Sequence, residues 1–264
     1  MLALIAGTGD LPAALVARLE TPPIMCALSG FEPSLDVEIS FRIEHLGSFL
    51  DAIKDRGVTE VCMAGAIQRP VIDPTEIDAA TLPLVPRIQT AIAKGDDGAL
   101  REVISIFEDF GFVVKAAHVI APDLLPTNGF LTQAKPADRH RRYATVGEVT
   151  IAQMGEADVG QACIVDLGAV VICEDANGTD AMLGKIDTRV TQNDGILFKA
   201  PKPNQDRRAD LPVIGLQTAM LAAKAGLAGI VIEAGGVMVL DLAAVIETLN
   251  AHGMFLWVRP RGAV

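Results

Sequence analysis

A short charged segment between residues 199 and 210 carries the side chains that phosphoryl chemistry needs. Its twelve residues include four cations, two carboxylates and two prolines that stiffen the backbone: Lys199, Pro201, Lys202, Pro203, Asp206, Arg207, Arg208 and Asp210. Cations can neutralise phosphate oxygens, and a carboxylate can hold a divalent metal or orient a water molecule. The segment therefore predicts a site for a phosphorylated ligand, with a charged surface loop as the alternative.

An acidic turn and a glycine-containing turn are further candidates. Glu174, Asp175 and Asp180 supply oxygen ligands of the kind that Mg²⁺ or Mn²⁺ prefers, although a hairpin turn with solvated acids has the same composition. The segment Gly7–Asp10 follows an apolar run, and backbone N–H groups at a strand-to-helix turn can bind phosphate. Because Pro12 stands where G-x-G-x-x-G requires its third glycine, a purely structural tight turn is equally open.

Several common catalytic and metal-binding motifs are absent from the sequence. The four histidines lack H-E-x-x-H spacing, and neither G-x-S-x-G nor G-x-x-x-x-G-K-[ST] occurs. The four cysteines lie far apart without a C-x-x-C pair, which argues against a structural zinc site. A basic cluster at residues 138–142 is either a solvated helix start or a contact for a phosphate or lipid headgroup.

Charge and hydropathy limit the expected partners. The formal net charge of −11 repels nucleic-acid phosphates, so we expect no nucleic-acid partner. The windows 135–142 and 199–208 each carry a net charge of +3, so positive charge is concentrated locally. The longest charge-free stretch, residues 211–223, has 13 residues, fewer than the about 18 that a membrane span requires. The N-terminus also lacks the basic region of a signal peptide, so we expect a soluble, cytoplasmic protein.

Apolar runs alternate with amphipathic segments along the chain and predict an α/β fold. Leu2–Ala6 and Val61–Ala64 are predicted as buried strands, and Asp97–Phe110 as a helix with one apolar face. The apolar runs Ala162–Val165 and Ala169–Cys173, joined at Leu167-Gly168, predict a hairpin. The other predicted elements are helices at 48–56, 138–156 and 217–224, strands at 196–200, 229–232 and 237–240, and a helix capped by Asp241.

A proline-rich stretch interrupts this alternation and predicts a domain boundary. We expect an N-terminal domain with a Rossmann-like parallel sheet (residues 1–122), a linker (123–137) and a C-terminal mixed α/β catalytic domain (138–264). Two such domains joined by a linker predict a ligand cleft between them.

Taken in order, the sequence blocks are similar to those of one enzyme family. The blocks are LIAGTGDLP (4–12), AGAIQRP (64–70), GDDGALREVISIFEDFGF (95–112), DVGQACIV (158–165), NGTDAML (177–183), KAPKPNQDRRADLPVIG (199–215) and AGLAGIVIEAG (225–235). Through them the chain resembles the LpxI-type UDP-2,3-diacylglucosamine pyrophosphatases of bacterial lipid A synthesis. Because the blocks keep their order and spacing over nearly the whole length, their combination is far more specific than any single block.

The resemblance implies a reaction, a cofactor and site residues. The reaction is hydrolysis of the pyrophosphate of UDP-2,3-diacylglucosamine to UMP and 2,3-diacylglucosamine 1-phosphate (lipid X), with Mg²⁺ or Mn²⁺ as cofactor. We further expect transient contact with the inner-membrane surface and keep a homodimer open. The implied catalytic residues are Asp210, Lys202 and Gln205; the substrate-binding residues are Gly7, Gly9, Asp10, Arg69, Asp97, Thr179, Lys199, Arg207 and Arg208; and the metal ligands are Asp210, Asp180 and Asp206. Asn177 stands where the family usually has glutamate, which makes Asp180 the candidate ligand of that turn.

A second hypothesis uses the Gly7–Gly9 turn differently. A dinucleotide-binding oxidoreductase or a non-catalytic nucleotide-binding protein would place its cofactor phosphates there, with an acidic residue about 20 positions further on for the ribose. Glu20 comes too early for that role, and residues 26–30 offer no carboxylate.

Overall fold

The chain divides into two compact units. The computed structural model describes residues 1–186, 194–203 and 205–263. Unit 1 comprises Met1–Pro122 together with the short segment Asp206–Asp210, and unit 2 comprises Asp123–Gln205 and Leu211–Val264. Asp206–Asp210 therefore packs with a unit whose other residues lie far away in the sequence. We call these five residues the docked segment.

Unit 1 is built on a parallel sheet. Its five strands run in the spatial order β3-β2-β1-β4-β5, with every neighbouring pair parallel. The strands are β1 (Leu2–Ala6), β2 (Ile24–Leu28), β3 (Ile39–Phe41), β4 (Glu60–Ala64) and β5 (Val113–Lys115). Sheet order reverses direction at β1, so the carboxyl ends of β1 and β4 flank a topological switch point, where open α/β sheets bind ligands.

Helices cover this sheet and contribute the apolar side chains that close its core. They are α1 (Leu11–Val16), α2 (Leu46–Asp55), α3 (Val85–Ala93), α4 (Asp96–Asp109) and α5 (Ala117–Ile120). In α4, Ile104 and Phe107 lie one turn apart and are both buried, as the predicted apolar face requires. Together with Leu50 and Ile53 of α2 and Val61 of β4 they belong to one hydrophobic cluster.

Unit 2 contains a mixed six-stranded sheet in the order β6-β13-β11-β9-β7-β8. Its strands are β6 (Gly129–Phe130), β7 (Ala162–Asp166), β8 (Ala169–Cys173), β9 (Ile196–Lys199), β11 (Gly229–Glu233) and β13 (Phe255–Arg259). The central strands β9, β11 and β13 are parallel, whereas β6 and the β7–β8 hairpin pair antiparallel at the two sides. β10 (Val213–Ile214) and β12 (Met238–Val239) form a separate two-stranded sheet.

Both faces of the six-stranded sheet are buried, because alternate residues point into two different cores. On β11, Ile230 and Ile232 join a cluster with α7 (Gly178–Gly184), α8 (Leu216–Lys224) and α9 (Leu242–Ala251). Val231, between them, points to the other face and joins a cluster with α6 (Asp138–Glu156). Parallel strands covered on both faces are continuously apolar, which is why these strands were visible in the sequence.

The α/β fold class is confirmed, and most predicted elements are present with shifts of one or two residues at their ends. The predicted hairpin is formed by β7 and β8, and Asp241 caps α9 by accepting a hydrogen bond from the Ala244 N–H at 3.2 Å. The stretch predicted as a linker is more structured than expected. It contains a 3-10 turn at Pro122–Leu124 and strand β6, because Phe130 packs against Trp257 of β13 at a ring-centroid distance of 5.7 Å. None of the helices within the described ranges is long and apolar enough to cross a membrane.

The packing of α6 against β9 depends on a glycine. A Cβ built on Gly147 would lie 2.5 Å from Phe198 Cγ, closer than van der Waals contact permits. We expect Gly147→Ala to lower the free energy of unfolding by about 1–2 kcal/mol, since an overpacked core must shift neighbouring atoms. Urea unfolding of the full chain measures this change.

Gly184, the last residue of α7, is the matched control because a Cβ there meets no atom within 4 Å. Gly184→Ala should leave stability unchanged or raise it slightly through better helix propensity. Equal destabilisation by the two substitutions would contradict the proposed close approach of α6 and β9.

Candidate active site

The docked segment is held on unit 1 by hydrogen bonds and ion pairs to α4. The backbone N–H of Asp206 donates to Asp97 Oδ1 at 3.0 Å, and Arg208 Nη1 donates to Glu108 Oε1 at 2.5 Å. Arg208 also donates two hydrogen bonds to the Asp206 carboxylate, with Nε 3.0 Å from Oδ1 and Nη2 2.8 Å from Oδ2. Asp97 and Glu108 stand near opposite ends of α4, so one helix fixes the whole segment.

The Asp206–Arg208 pair is also an electrostatic anchor. Hydrogen bonds from the Arg208 side chain lower the pKa of Asp206, while the Asp206 carboxylate raises the pKa of Arg208. Two parallel charge-assisted bonds between a guanidinium and a carboxylate are stronger and more directional than a single one. Asp210, the predicted catalytic aspartate, follows in the same segment; its N–H lies 3.4 Å from the Asp206 carbonyl oxygen.

In unit 2 the residues leading to the docked segment are buried and paired. Lys199, at the end of β9, donates to Thr179 Oγ1 at 2.6 Å, and Thr179 in turn donates to Glu174 Oε1 at 2.5 Å. The second oxygen of Glu174 accepts the backbone N–H of Gln161 at 2.5 Å. Lys199, Thr179 and Glu174 are each less than 10% exposed, so this chain of hydrogen bonds compensates buried charges of both signs.

Lys202 is held by an aspartate that sequence reasoning did not select. Its Nζ lies 2.6 Å from Asp158 Oδ1, and its backbone N–H donates to Gln205 Oε1 at 2.9 Å. Two predicted catalytic residues, Lys202 and Gln205, are thus brought together. Asp158 takes a left-handed conformation with φ of 55°, which aspartate tolerates better than most residues. It opens the block DVGQACIV, which was the available signal for it.

Close backbone contacts fix the proline-containing stretch Pro201–Pro203. A Cβ on Gly155 would approach Pro203 Cδ to 2.5 Å, and one on Gly236 would approach Pro201 Cδ to 2.8 Å. The Pro201 carbonyl accepts a hydrogen bond from Arg261 Nη2 at 3.1 Å. The rigidity expected from the two prolines is therefore reinforced by packing. Asn204, within the same block, lies outside the described residues.

The glycine-containing turn meets the loop after β4 at the carboxyl edge of the parallel sheet. Thr8 N–H and Ala66 N–H each donate to the other residue's carbonyl, at 3.0 and 2.9 Å. A Cβ on Gly7 would lie 2.4 Å from the Ala66 oxygen, whereas nothing lies within 4 Å of the Cβ position of Gly9. Gly7 is therefore required by packing, and the space beside Gly9 is open. Asp10 stands at the N-cap position of α1 without a side-chain capping bond.

The other substrate-binding predictions fall on residues with structural partners. Arg69, in the loop after β4, donates to the carbonyl oxygens of Ile92 and Lys94 at 3.2 and 3.0 Å. Arg207 and Arg208 share the docked segment; Arg207 is exposed. Asp97, expected at a helix start, indeed lies in the first turn of α4, where its carboxylate binds both Asp206 N–H and, at 2.7 Å, Arg101 Nε.

The predicted metal ligands have other contacts. Both oxygens of Asp206 are engaged by Arg208, and Asp180 accepts a hydrogen bond from Thr218 Oγ1 at 3.0 Å. Among residues 1–186, 194–203 and 205–263, no three His, Cys, Asp or Glu side chains gather so as to hold a metal. In the acidic turn, Asp175 pairs with Lys185 at 2.9 Å, and these contacts lower the pKa of Asp175 to about 2.

The basic cluster at 138–142 builds the start of α6. Arg139 Nε, His140 Nε2 and Tyr143 OH converge on Asp194 at 2.5, 3.1 and 3.0 Å. The opposite ring nitrogen of His140 accepts the backbone N–H of Ala137 at 3.0 Å and so caps the helix. Arg141 lies over the rings of Phe130 and Trp257. Of the two explanations for this cluster, the helix start is supported by these contacts.

Comparison with known proteins covers both units. A family model described as the LpxI N-terminal domain matches residues 1–124, and one described as the LpxI C-terminal domain matches residues 127–257. A Caulobacter vibrioides protein described as UDP-2,3-diacylglucosamine pyrophosphatase LpxI is 37% identical to the chain over 268 residues. The alignment spans 97% of this chain and 96% of the relative.

Docking of Asp206–Asp210 should depend on the Asp206 carboxylate. We expect Asp206→Asn to accelerate amide hydrogen exchange in the segment about tenfold or more at neutral pH, because the paired guanidinium–carboxylate bonds are lost. Since the pKa of Asp206 is lowered in the folded protein, protection of the wild-type segment is fully present above the ordinary carboxyl pKa of about 4 and is lost as the pH falls further.

Asp175→Asn serves as the matched control, because Asp175 is also ion-paired but lies in an exposed turn of unit 2. Exchange mass spectrometry of both variants should change the docked segment only in Asp206→Asn. Unchanged exchange in that variant would show that the segment is held by something other than this carboxylate.

Proposed function

The chain belongs to the LpxI family, and we propose that it hydrolyses the pyrophosphate bond of UDP-2,3-diacylglucosamine, releasing UMP and 2,3-diacylglucosamine 1-phosphate in lipid A synthesis. The single observation that carries the proposal is the similarity over 97% of the chain to a relative named for this activity. The docked segment is consistent with it, since a partly buried ion pair fixes the backbone shortly before Asp210.

The roles of the chain's own residues follow from their charge and their anchoring. In the reaction, a water oxygen forms a new bond to one phosphorus atom while the bridging P–O bond breaks. Asp210 orients the water and accepts its proton, because it is the carboxylate at the end of the docked segment and a positioned carboxylate can act as a general base. Arg207 stabilises charge that spreads over the phosphate oxygens. Lys202, whose ammonium is paired with Asp158, stays a predicted contributor to that stabilisation. Gln205 positions Lys202 through the hydrogen bond to its backbone.

In this proposal Lys199 stabilises the backbone at the end of β9 and does not contact the substrate phosphates directly. Its ammonium is buried against Thr179 and only 4.0 Å from Glu174, so its donors face the protein interior. The same network orients the start of α7, where Thr179 and Asp180 stand. A buried lysine with these partners fixes the end of β9, from which the charged segment departs.

We also propose that the reaction uses Mg²⁺ or Mn²⁺. Mg²⁺ in phosphoryl-transfer enzymes is commonly held by one or two carboxylates plus substrate phosphates and waters, so a preformed protein cage is not needed. Asp210 and Asp180 are carboxylates of that kind and stay the predicted ligands, whereas the third predicted ligand, Asp206, is already bound by Arg208. When bound, such an ion neutralises phosphate oxygens and lowers the pKa of a bound water.

The place of action follows from the chemistry of the proposed substrate. Two acyl chains keep such a molecule in a bilayer, so we propose that the enzyme acts from the cytoplasm through transient contact with the inner-membrane surface. A homodimer stays a prediction. The dinucleotide-binding alternative also stays a prediction, and NAD is therefore included among the ligands tested below.

Asp210→Asn is expected to reduce kcat by about 10²–10³-fold, equivalent to about 3–4 kcal/mol of barrier, since the amide cannot accept the proton. The assay follows UMP release from UDP-2,3-diacylglucosamine by purified protein. Asp175→Asn, which removes an exposed carboxylate, should retain full activity. Near-normal turnover by Asp210→Asn would remove Asp210 from the mechanism, and stabilisation of the wild type by NAD but not by UMP would favour the alternative.

Metal dependence has its own test. We expect chelation with EDTA followed by gel filtration to abolish UMP release, and Mg²⁺ or Mn²⁺ to restore it, because a divalent ion would stabilise the charge that develops on the phosphate oxygens. Circular dichroism of the chelated protein should be unchanged. Full activity after chelation would contradict the metal proposal and leave the hydrolase proposal intact.

A further inference from the structure

His118 stands at the edge of unit 1 where ligands of open α/β sheets bind. It is the second residue of α5, which begins two residues after β5 ends and packs against β4. Carboxyl ends of parallel strands lie along one edge of the sheet, so His118 shares that edge with the turns after β1 and β4. No sequence motif singled it out, and no role in the proposed mechanism uses it.

The imidazole of His118 has an unused hydrogen-bonding capacity. Its Nδ1 is inaccessible to solvent and has no hydrogen-bond partner among the residues that the structure describes. The residue as a whole is nevertheless partly exposed. Buried polar atoms are nearly always paired, so an exception calls for an explanation.

This burial fixes the ring's tautomer. A buried N–H without an acceptor is rarer in proteins than an unpaired acceptor, so the proton resides on Nε2 rather than on Nδ1. Burial, together with the nearby Arg207 guanidinium, lowers the pKa of His118 and keeps the ring neutral at physiological pH. The side chain is therefore a neutral donor with one N–H of fixed position.

We propose that His118 donates its Nε2–H to an acceptor oxygen in the nucleotide half of the substrate. The inference rests on the proposed function for the identity of that nucleotide, UMP. Two features favour the nucleotide half: the switch-point edge of a parallel sheet is where nucleotides bind, and Arg207, close to His118, supplies the cation that a phosphate requires. Because the ring is neutral, His118 contributes a directional hydrogen bond to the ligand and does not neutralise its charge.

Titration calorimetry with UMP tests this contact on the full chain without chemistry or lipid. His118→Leu removes the donor, and we expect UMP to bind about three- to tenfold more weakly. His118→Gln keeps an N–H near the Nε2 position and should recover most of the affinity. His252→Leu is the control, because that histidine lies at the exposed end of α9 in unit 2.

Thermal stability separates binding from a structural role. Leucine removes a nitrogen that has no partner, so His118→Leu should melt no lower than wild type, whereas loss of a structural histidine would lower Tm. In the hydrolysis assay the leucine variant should raise KM and leave kcat nearly unchanged.

Three outcomes would overturn the inference: wild type that does not bind UMP, His118→Leu that binds UMP as tightly as wild type, or a lowered Tm that glutamine fails to restore. The inference and the proposed function can fail separately. If UMP binding depends on His118 but the lipid substrate is not hydrolysed, the proposed function is contradicted and the inference stands. If the substrate is hydrolysed but the affinity for UMP does not change in the His118 variants, the inference is contradicted and the proposed function stands.

Discussion

The paired hydrogen bonds between Arg208 and Asp206 are the interaction on which the candidate site depends. They make a rigid unit of a short segment that would otherwise be an exposed loop, and α4 then holds this unit through Asp97 and Glu108. The backbone that leads to Asp210 is fixed as a result. The chain neighbours on both sides, Gln205 and Leu211, belong to unit 2, so part of the candidate site on unit 1 comes from the C-terminal half of the sequence.

A second constraint concerns the buried cations of this chain, whose net charge is −11. A lysine removed from water is costly unless a carboxylate or hydroxyl receives its protons. Lys199 and Lys202 are both more than 90% buried, and each has such a partner, in Thr179 and Asp158. The acidic surplus of the chain thus includes the residues that hold its scarce cations in place.

The sequence was sufficient for the parts of the structure that local patterns encode. Apolar runs predicted strands such as β1 and β7, and the turn at Leu167-Gly168 predicted the hairpin of β7 and β8, because side-chain periodicity follows burial. Pairing across large separations leaves no such pattern. The bond from Asp206 to Asp97 spans 109 residues, and Asp97 alone has the properties of an ordinary helix start. The sequence also offered no motif for Asp158 or His118. The contact of Asp158 with Lys202 and the unpaired Nδ1 of His118 both depend on which side chains the fold places beside them.

The position of the docked segment also has a consequence for biosynthesis. The first 122 residues of unit 1 leave the ribosome before the docked segment that Asp97 and Glu108 hold, and residues 206–210 follow only after 83 intervening residues have been added. At about 5–20 residues per second this interval lasts roughly 4–17 s, far longer than helices need to form. The sheet and α4 thus have time to form before the segment that carries Asp210 exists, and this segment can pack against α4 only after most of the chain has been synthesised.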